Sequence, residues 1–261
     1  MIKNILSIAG SDPSGGAGVQ ADLKTISALG GYGMTAITAL TAQNTKGVRA
    51  VHIPPAEFLR AQLVAVFEDV QVDAVKIGMA GNAETIAVIV ETLEQYKPKH
   101  IVLDPVMVAT SGDVLLDDVA VKLLKGRLIP LTHVLTPNLP EAEVLCGVKV
   151  AREMVELSGA LLDLGAGAVF LKGGHGSGTE SNDLFLSANE SEIMKAARIE
   201  TKNRHGTGCT LSSAIATYLA QGESAINACR KAKAYVHRAI GAADELGVGH
   251  GHGPLHHFVK R

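Results

Sequence analysis

The chain has 261 residues and a formal net charge of −2, from 24 Lys and Arg against 26 Asp and Glu. No block of like charges stands out, which argues against a nucleic-acid partner gripped through clustered phosphate contacts and against a membrane surface. The widely spaced Cys146, Cys209 and Cys229 form no disulfide framework and suit a reducing, cytoplasmic compartment.

The first residues, 1–9, briefly look like a secretion signal. Their apolar stretch is too short and Asp12 comes directly after, so a buried first strand is expected. Elsewhere, no apolar run reaches the roughly 18 residues needed to cross a bilayer. Residues 5–9 read as a strand and 18–29 as a helix. A strand is expected at 35–40, with a second candidate at 48–53, then an amphipathic helix at 56–70. Residues 74–77 read as a strand, 82–95 as a helix, 101–103 as a strand and 114–124 as a helix. Next come a strand at 133–135, helices at 139–145 and 153–164, a strand at 168–171 and a hairpin within 181–198. Helices at 207–220 and 224–243 complete the pattern. Short apolar strands separated by helices predict an α/β fold with a mostly parallel central sheet and helices on both faces. With no composition break, residues 1–261 are expected to form one domain. At this length roughly three quarters of the unfolded surface can be buried.

Ligands of such sheets bind beyond the carboxyl ends of the strands. Six predicted strand ends deliver glycine or polar residues there: Gly10-Ser11-Asp12, Ala42-Gln43-Asn44, Gly78-Met79, Asp104-Pro105-Val106, Thr136-Pro137-Asn138 and Lys172-Gly173-Gly174. Gly206-Thr207-Gly208-Cys209-Thr210 opens a helix. Bare glycine backbone and the helix dipole there suit an anion such as a transferring phosphoryl group, although a plain glycine-rich helix entry is the simpler reading. At that position the Cys209 thiol is expected to have a lowered pKa and to accept a proton, or else to be a small buried hydrophobe. Asn138-Leu139-Pro140-Glu141 suits Mg²⁺ held partly through water, and equally a capping box. Asp104, ending a buried strand, needs either a metal–water network or a hydrogen-bonded partner. Lys172 beside bare backbone suits a nucleotide phosphate or is an exposed turn lysine. Asp12 and Asp22 are candidates to hold polar groups of a substrate, with Asp12 alternatively a turn residue. The segment 10–18 is too long for a dinucleotide turn, and no Gly-Lys-Ser/Thr phosphate loop occurs. The glycine-spaced His250, His252, His256 and His257 lack helical ligand geometry and read as a packed or lid-like end.

Together these stretches resemble the ribokinase-like superfamily, and within it the hydroxymethylpyrimidine/phosphomethylpyrimidine kinases, over nearly the whole chain. The resemblance implies a three-layer sandwich, ATP and Mg²⁺ as cofactors, and a homodimer. It implies that Gln43 bonds an aminopyrimidine, that Met79, Val106 and Ala17 contact its faces, and that Asp22 lies near its hydroxymethyl group. Cys209 would stand where most of the superfamily carries a catalytic aspartate, with Gly206, Thr207 and Gly208 around the anion. Asn138, Glu141 and Asp104 would organise Mg²⁺ and phosphate, and Lys172 would meet ATP. The alternatives are a pyridoxal or pyridoxamine kinase, a non-catalytic nucleotide-dependent binding protein and, more distantly, a dehydrogenase.

Overall fold

The structure is a computed structural model and describes residues 1–107, 116–148, 153–174 and 178–259. Among the described residues nine strands form one sheet: β1 (Asn4–Ser11), β2 (Tyr32–Asn44), β3 (Gly47–His52), β4 (Ala74–Ile77), β5 (Ile101–Leu103), β6 (Val134–Leu135), β7 (Ala168–Leu171), β8 (Asp183–Ser187) and β9 (Ser191–Met194). The spatial order is β3-β2-β1-β4-β5-β6-β7-β8-β9. The six central strands, from β2 through β1 to β7, run parallel, while β3, β8 and β9 pair antiparallel at the two edges.

Alternation along the strands divides the core. Leu6, Ile8, Val75, Ile77, Leu103, Leu135, Val169 and Leu171 join one cluster; Ile5, Ala74, Val102, Val134, Ala168 and Phe170 join the other. A period of two puts successive side chains on opposite faces, so each strand feeds both layers. The first face is covered by α2 (Ala56–Asp69), α3 (Ala83–Tyr96), α4 (Asp118–Leu123), α5 (Leu139–Cys146) and α6 (Met154–Leu162). The second is covered by α1 (Gly18–Ala28), α7 (Thr207–Ala220) and α8 (Ala225–Gly241). This is the expected three-layer α/β sandwich. Among the described residues no helix is long and apolar enough to cross a membrane.

Two elements differ from the sequence reading. Strand β2 runs on to Asn44 instead of ending at Leu40, and residues 40–44 pair with β3 as a ribbon overhanging the sheet edge. The polar segment Thr41-Ala42-Gln43-Asn44 gives no apolar alternation, so it reads as a loop; cross-strand hydrogen bonding makes it a strand. The helix expected at 114–124 begins at Asp118, because Asp117 Oδ1 accepts from Ala120 N–H at 2.8 Å and caps it. Its helical winding continues as a π-helical turn over Leu124–Leu128. Val114 and Leu115 lie outside the described residues, as does His175.

Candidate active site

The carboxyl ends of the central strands, the overhanging ribbon and the start of α7 enclose a cleft of about 1300 Å³. Every site residue expected from the sequence except Asp22 lines it: Ala17, Gln43, Met79, Asp104, Val106, Asn138, Glu141, Lys172, Gly206, Thr207, Gly208 and Cys209.

Gly206 takes a left-handed conformation (φ 84°) immediately before α7, where a Cβ would meet Gly16 O at 1.8 Å. Only glycine fits that contact. No side chain caps α7. Thr207 N–H donates to Arg204 O at 3.3 Å, while the Gly208 and Cys209 N–H groups have no partner within the helix and both residues line the cleft. At Gly208 a Cβ would lie 2.9 Å from Asp104 Oδ2 and 3.4 Å from Lys172 Nζ. The helix start, a carboxylate and an ammonium thus converge on one point.

Lys172 Nζ donates to Asp104 Oδ1 at 2.7 Å and stands 3.9 Å from Glu141 Oε2. Burial disfavours its charge, but Asp104 and Glu141 outweigh that and hold its pKa above the usual lysine value. Lys172 is therefore a partly buried site cation, not an exposed turn residue. Asn138 and Glu141 do form a capping box: Glu141 N–H donates to Asn138 Oδ1 at 2.9 Å, and Asn138 N–H to Glu141 Oε2 at 2.8 Å. Burial, reinforced by the neighbouring Asp104, nevertheless pushes the Glu141 carboxyl up to about 7 against the pull of Lys172. Two buried carboxylates share one lysine, and one of them is held near its protonated form. That donor set fits a further cation brought with a phosphate ligand. No group of three or more His, Cys, Asp or Glu side chains among the described residues is placed to hold a metal by itself.

Two expectations are corrected. Asp22 does not reach the cleft. It is fully buried, with Lys76 Nζ 2.9 and 2.8 Å from its two oxygens. Ser7 and Ser213 hydroxyls also donate to it, at 2.6 and 2.7 Å. Nor is the Cys209 thiol acidified. Burial pushes it up to about 11, although the nearby Lys76 ammonium and the Gly18 N–H oppose that rise. Desolvation of the thiolate outweighs the helix-terminus effect here.

The sequence reading missed His205. Its Nε2 lies 2.8 Å from Asp12 Oδ2 and 3.3 Å from Gln43 Nε2. Asp12 also accepts from Ser14 N–H and Oγ–H, Gly16 N–H and Ala17 N–H. Burial alone would raise its pKa, but those bonds, His205 foremost, carry it down to about 2. With its oxygens occupied, Asp12 shapes the loop, as its turn reading has it. With the His205 Nε2–H given to Asp12, Gln43 is held through its Oε1, which accepts from Thr41 Oγ1 at 3.3 Å. Met79 is seated where a Cβ on Gly10 would approach its Sδ to 3.2 Å.

The histidine-rich end packs. Gly251 and His252 N–H donate to Thr45 on the ribbon, and Gly253 O accepts from His205 N–H. His257 is buried, 3.1 Å from Thr210 Oγ1, and burial pushes its pKa down to about 4, so it is neutral.

The family model described as phosphomethylpyrimidine kinase matches residues 12–256. The chain belongs to that family. It is 55% identical over 258 residues to the hydroxymethylpyrimidine/phosphomethylpyrimidine kinase of Rhizobium meliloti, covering 98% of this chain and 97% of the relative. It is 48% identical to the enzyme of that name from Escherichia coli, with the same coverage. The crystal structure of phosphomethylpyrimidine kinase from Clostridium difficile superposes with a TM-score of 0.81 at 46% identity, over 91% of this chain and 99% of that one. An ADP complex of Bacillus subtilis pyridoxal kinase gives a TM-score of 0.91 at 33% identity, over 98% of each chain. These matches establish the ribokinase-like fold and the kinase class.

Proposed function

We propose that this enzyme uses ATP to phosphorylate 4-amino-5-hydroxymethyl-2-methylpyrimidine and then the resulting monophosphate, in thiamine biosynthesis. The observation that carries the reading is the convergence of the uncapped start of α7 with Lys172 and Asp104 at Gly208. Phosphoryl transfer asks mainly for positioning and for stabilisation of charge on the transferring group.

In this reading Gln43, held by Thr41, bonds the aminopyrimidine, while Met79, Val106 and Ala17 pack against its faces. Gly206 and Gly208 present backbone N–H groups to the transferring phosphoryl group, with Thr207 between them. Lys172 trades part of its contact with Asp104 for phosphate oxygens of ATP. Asn138, Glu141 and Asp104 would hold Mg²⁺, which would neutralise negative charge on the phosphates. The hydroxymethyl oxygen attacks the γ-phosphorus as the bond to the β,γ-bridging oxygen breaks, ADP departs, and the hydroxyl proton passes to Cys209 as thiolate. Because burial holds that thiol up to about 11, the thiolate is scarce at neutral pH, and this step quickens as pH rises. The second acceptor is a phosphate oxygen, already ionised, which needs no base.

A homodimer is supported by the family resemblance and by Leu40 and Val51, apolar and exposed on the β2–β3 ribbon. A reducing compartment, the cytoplasm, is supported by three cysteines outside any disulfide. The test is ADP release measured side by side with the pyrimidine alcohol, its monophosphate and pyridoxal. Turnover of both pyrimidines is expected; turnover of pyridoxal alone would replace this reading by that of a pyridoxal kinase.

A further inference from the structure

The sheet face beneath α1 and α7 carries a sealed polar knot. Ser7 and Lys76 sit opposite each other on β1 and β4. Asp22 comes from α1 and Ser213 from α7, and all four side chains are shut off from solvent. Asp22 receives Lys76, Ser7 and Ser213 on its two oxygens. Removing both charges from water can cost as much as their attraction returns, and apolar residues of the same volume often do as well. Stability is therefore a poor reason for keeping the pair, and its position offers a better one.

Cys209 stands one helical turn before Ser213, on the same face of α7. The charged groups around its sulfur are Lys76 from β4, Asp22 from α1, Asp104 beyond β5 and Lys172 beyond β7; the Gly18 N–H also points at it. Lys76 is the strongest of the influences that favour negative charge there. Its Nζ also lies 2.8 Å from where a Cβ on Gly78 would be, so bare backbone at the cleft edge makes room for the ammonium.

We propose that Lys76, clamped by Asp22, is a positioning residue for the transfer reaction: a fixed cation beneath the start of α7 that favours negative charge on the Cys209 sulfur. The inference rests on the reading of Cys209 as acceptor of the hydroxyl proton. Asp22 holds the ammonium in place and at the same time opposes its field, so the two members act on the sulfur with opposite signs.

The test is the rate at which iodoacetamide alkylates Cys209 in the full chain at pH 7.5, read by peptide mass spectrometry so that Cys146 and Cys229 are counted apart. Lys76→Met should slow alkylation about tenfold, the effect of one unit in thiol pKa, and Asp22→Asn should speed it. Loosened packing would expose the thiol and speed both. If both variants alkylate faster, or Lys76→Met leaves the rate unchanged, the proposal is wrong. Should Lys76→Met not fold, Asp22→Leu/Lys76→Met is compared with Asp22→Asn: slower alkylation in the double variant supports the fixed cation, and an equal or faster rate overturns it. An unimpaired Cys209→Ala enzyme would instead remove the base reading, and the catalytic consequence of Lys76 with it, while the alkylation rates still report the charge.

Discussion

Asp22–Lys76 and Asp104–Lys172 are built from the same two residue types, and both influence Cys209. In the first pair neither side chain is exposed; in the second, Lys172 is 15% exposed at the cleft. The sealed pair has its geometry completed by two serines and no room to exchange partners. The open pair has a second carboxylate, Glu141, within reach and a cleft in front of it. The same chemistry serves as a fixed field in one place and as an exchangeable ligand in the other, and access to the cleft makes the difference.

Truncating the sealed pair should give the largest effect. Lys76→Met leaves Asp22 charged and buried, so denaturant unfolding should show a loss of about 3–5 kcal/mol. Asp22→Leu/Lys76→Met should recover most of it; a single variant as stable as the parent would erase the contrast. At the open pair the loss should fall on turnover. Lys172→Met should lower kcat for ADP release about 10²–10³-fold, with a smaller cost in stability, since Glu141 can take up a proton in place of the lysine. Between the pairs, Cys209→Ala should slow the first phosphorylation about 10²-fold and the second far less. Equal losses in both steps would show that the sulfur is no base. Asp12 is a buried carboxylate held without a lysine. Its depressed pKa means that its stabilisation, on the order of 2 kcal/mol, is complete above about pH 4 and disappears as pH falls to about 2. The stability gap between the parent and Asp12→Asn should close across that window.

Much of the site was legible in the sequence because strand ends are punctuated locally. Asp104-Pro105, Lys172-Gly173 and Asn138 with Glu141 each stand just past a short apolar run, and the sheet brings them to one edge. The capping box was legible from its three-residue spacing. Pairings across the fold were not. Asp22 and Lys76 are 54 positions apart, and only a lysine inside the apolar strand Ala74–Ile77 hinted that a counter-charge was needed. His205 pairs with a carboxylate 193 positions away. Nothing local in the sequence marks that pairing. The direction of the Cys209 shift depends on how much water reaches the sulfur, a property of packing that no local motif carries.

The packed C-terminal segment has a practical consequence. Residues 251–253 stitch Thr45 on the ribbon to Asn203 and His205 at the start of α7, and His257 is clamped by Tyr235 and Thr210. A purification tag or surface tether placed after Val259 would pull directly on this seam between the ribbon and the start of α7. Met1 and Ile2 are exposed and their strand begins at Asn4, so immobilisation through that end leaves the seam slack.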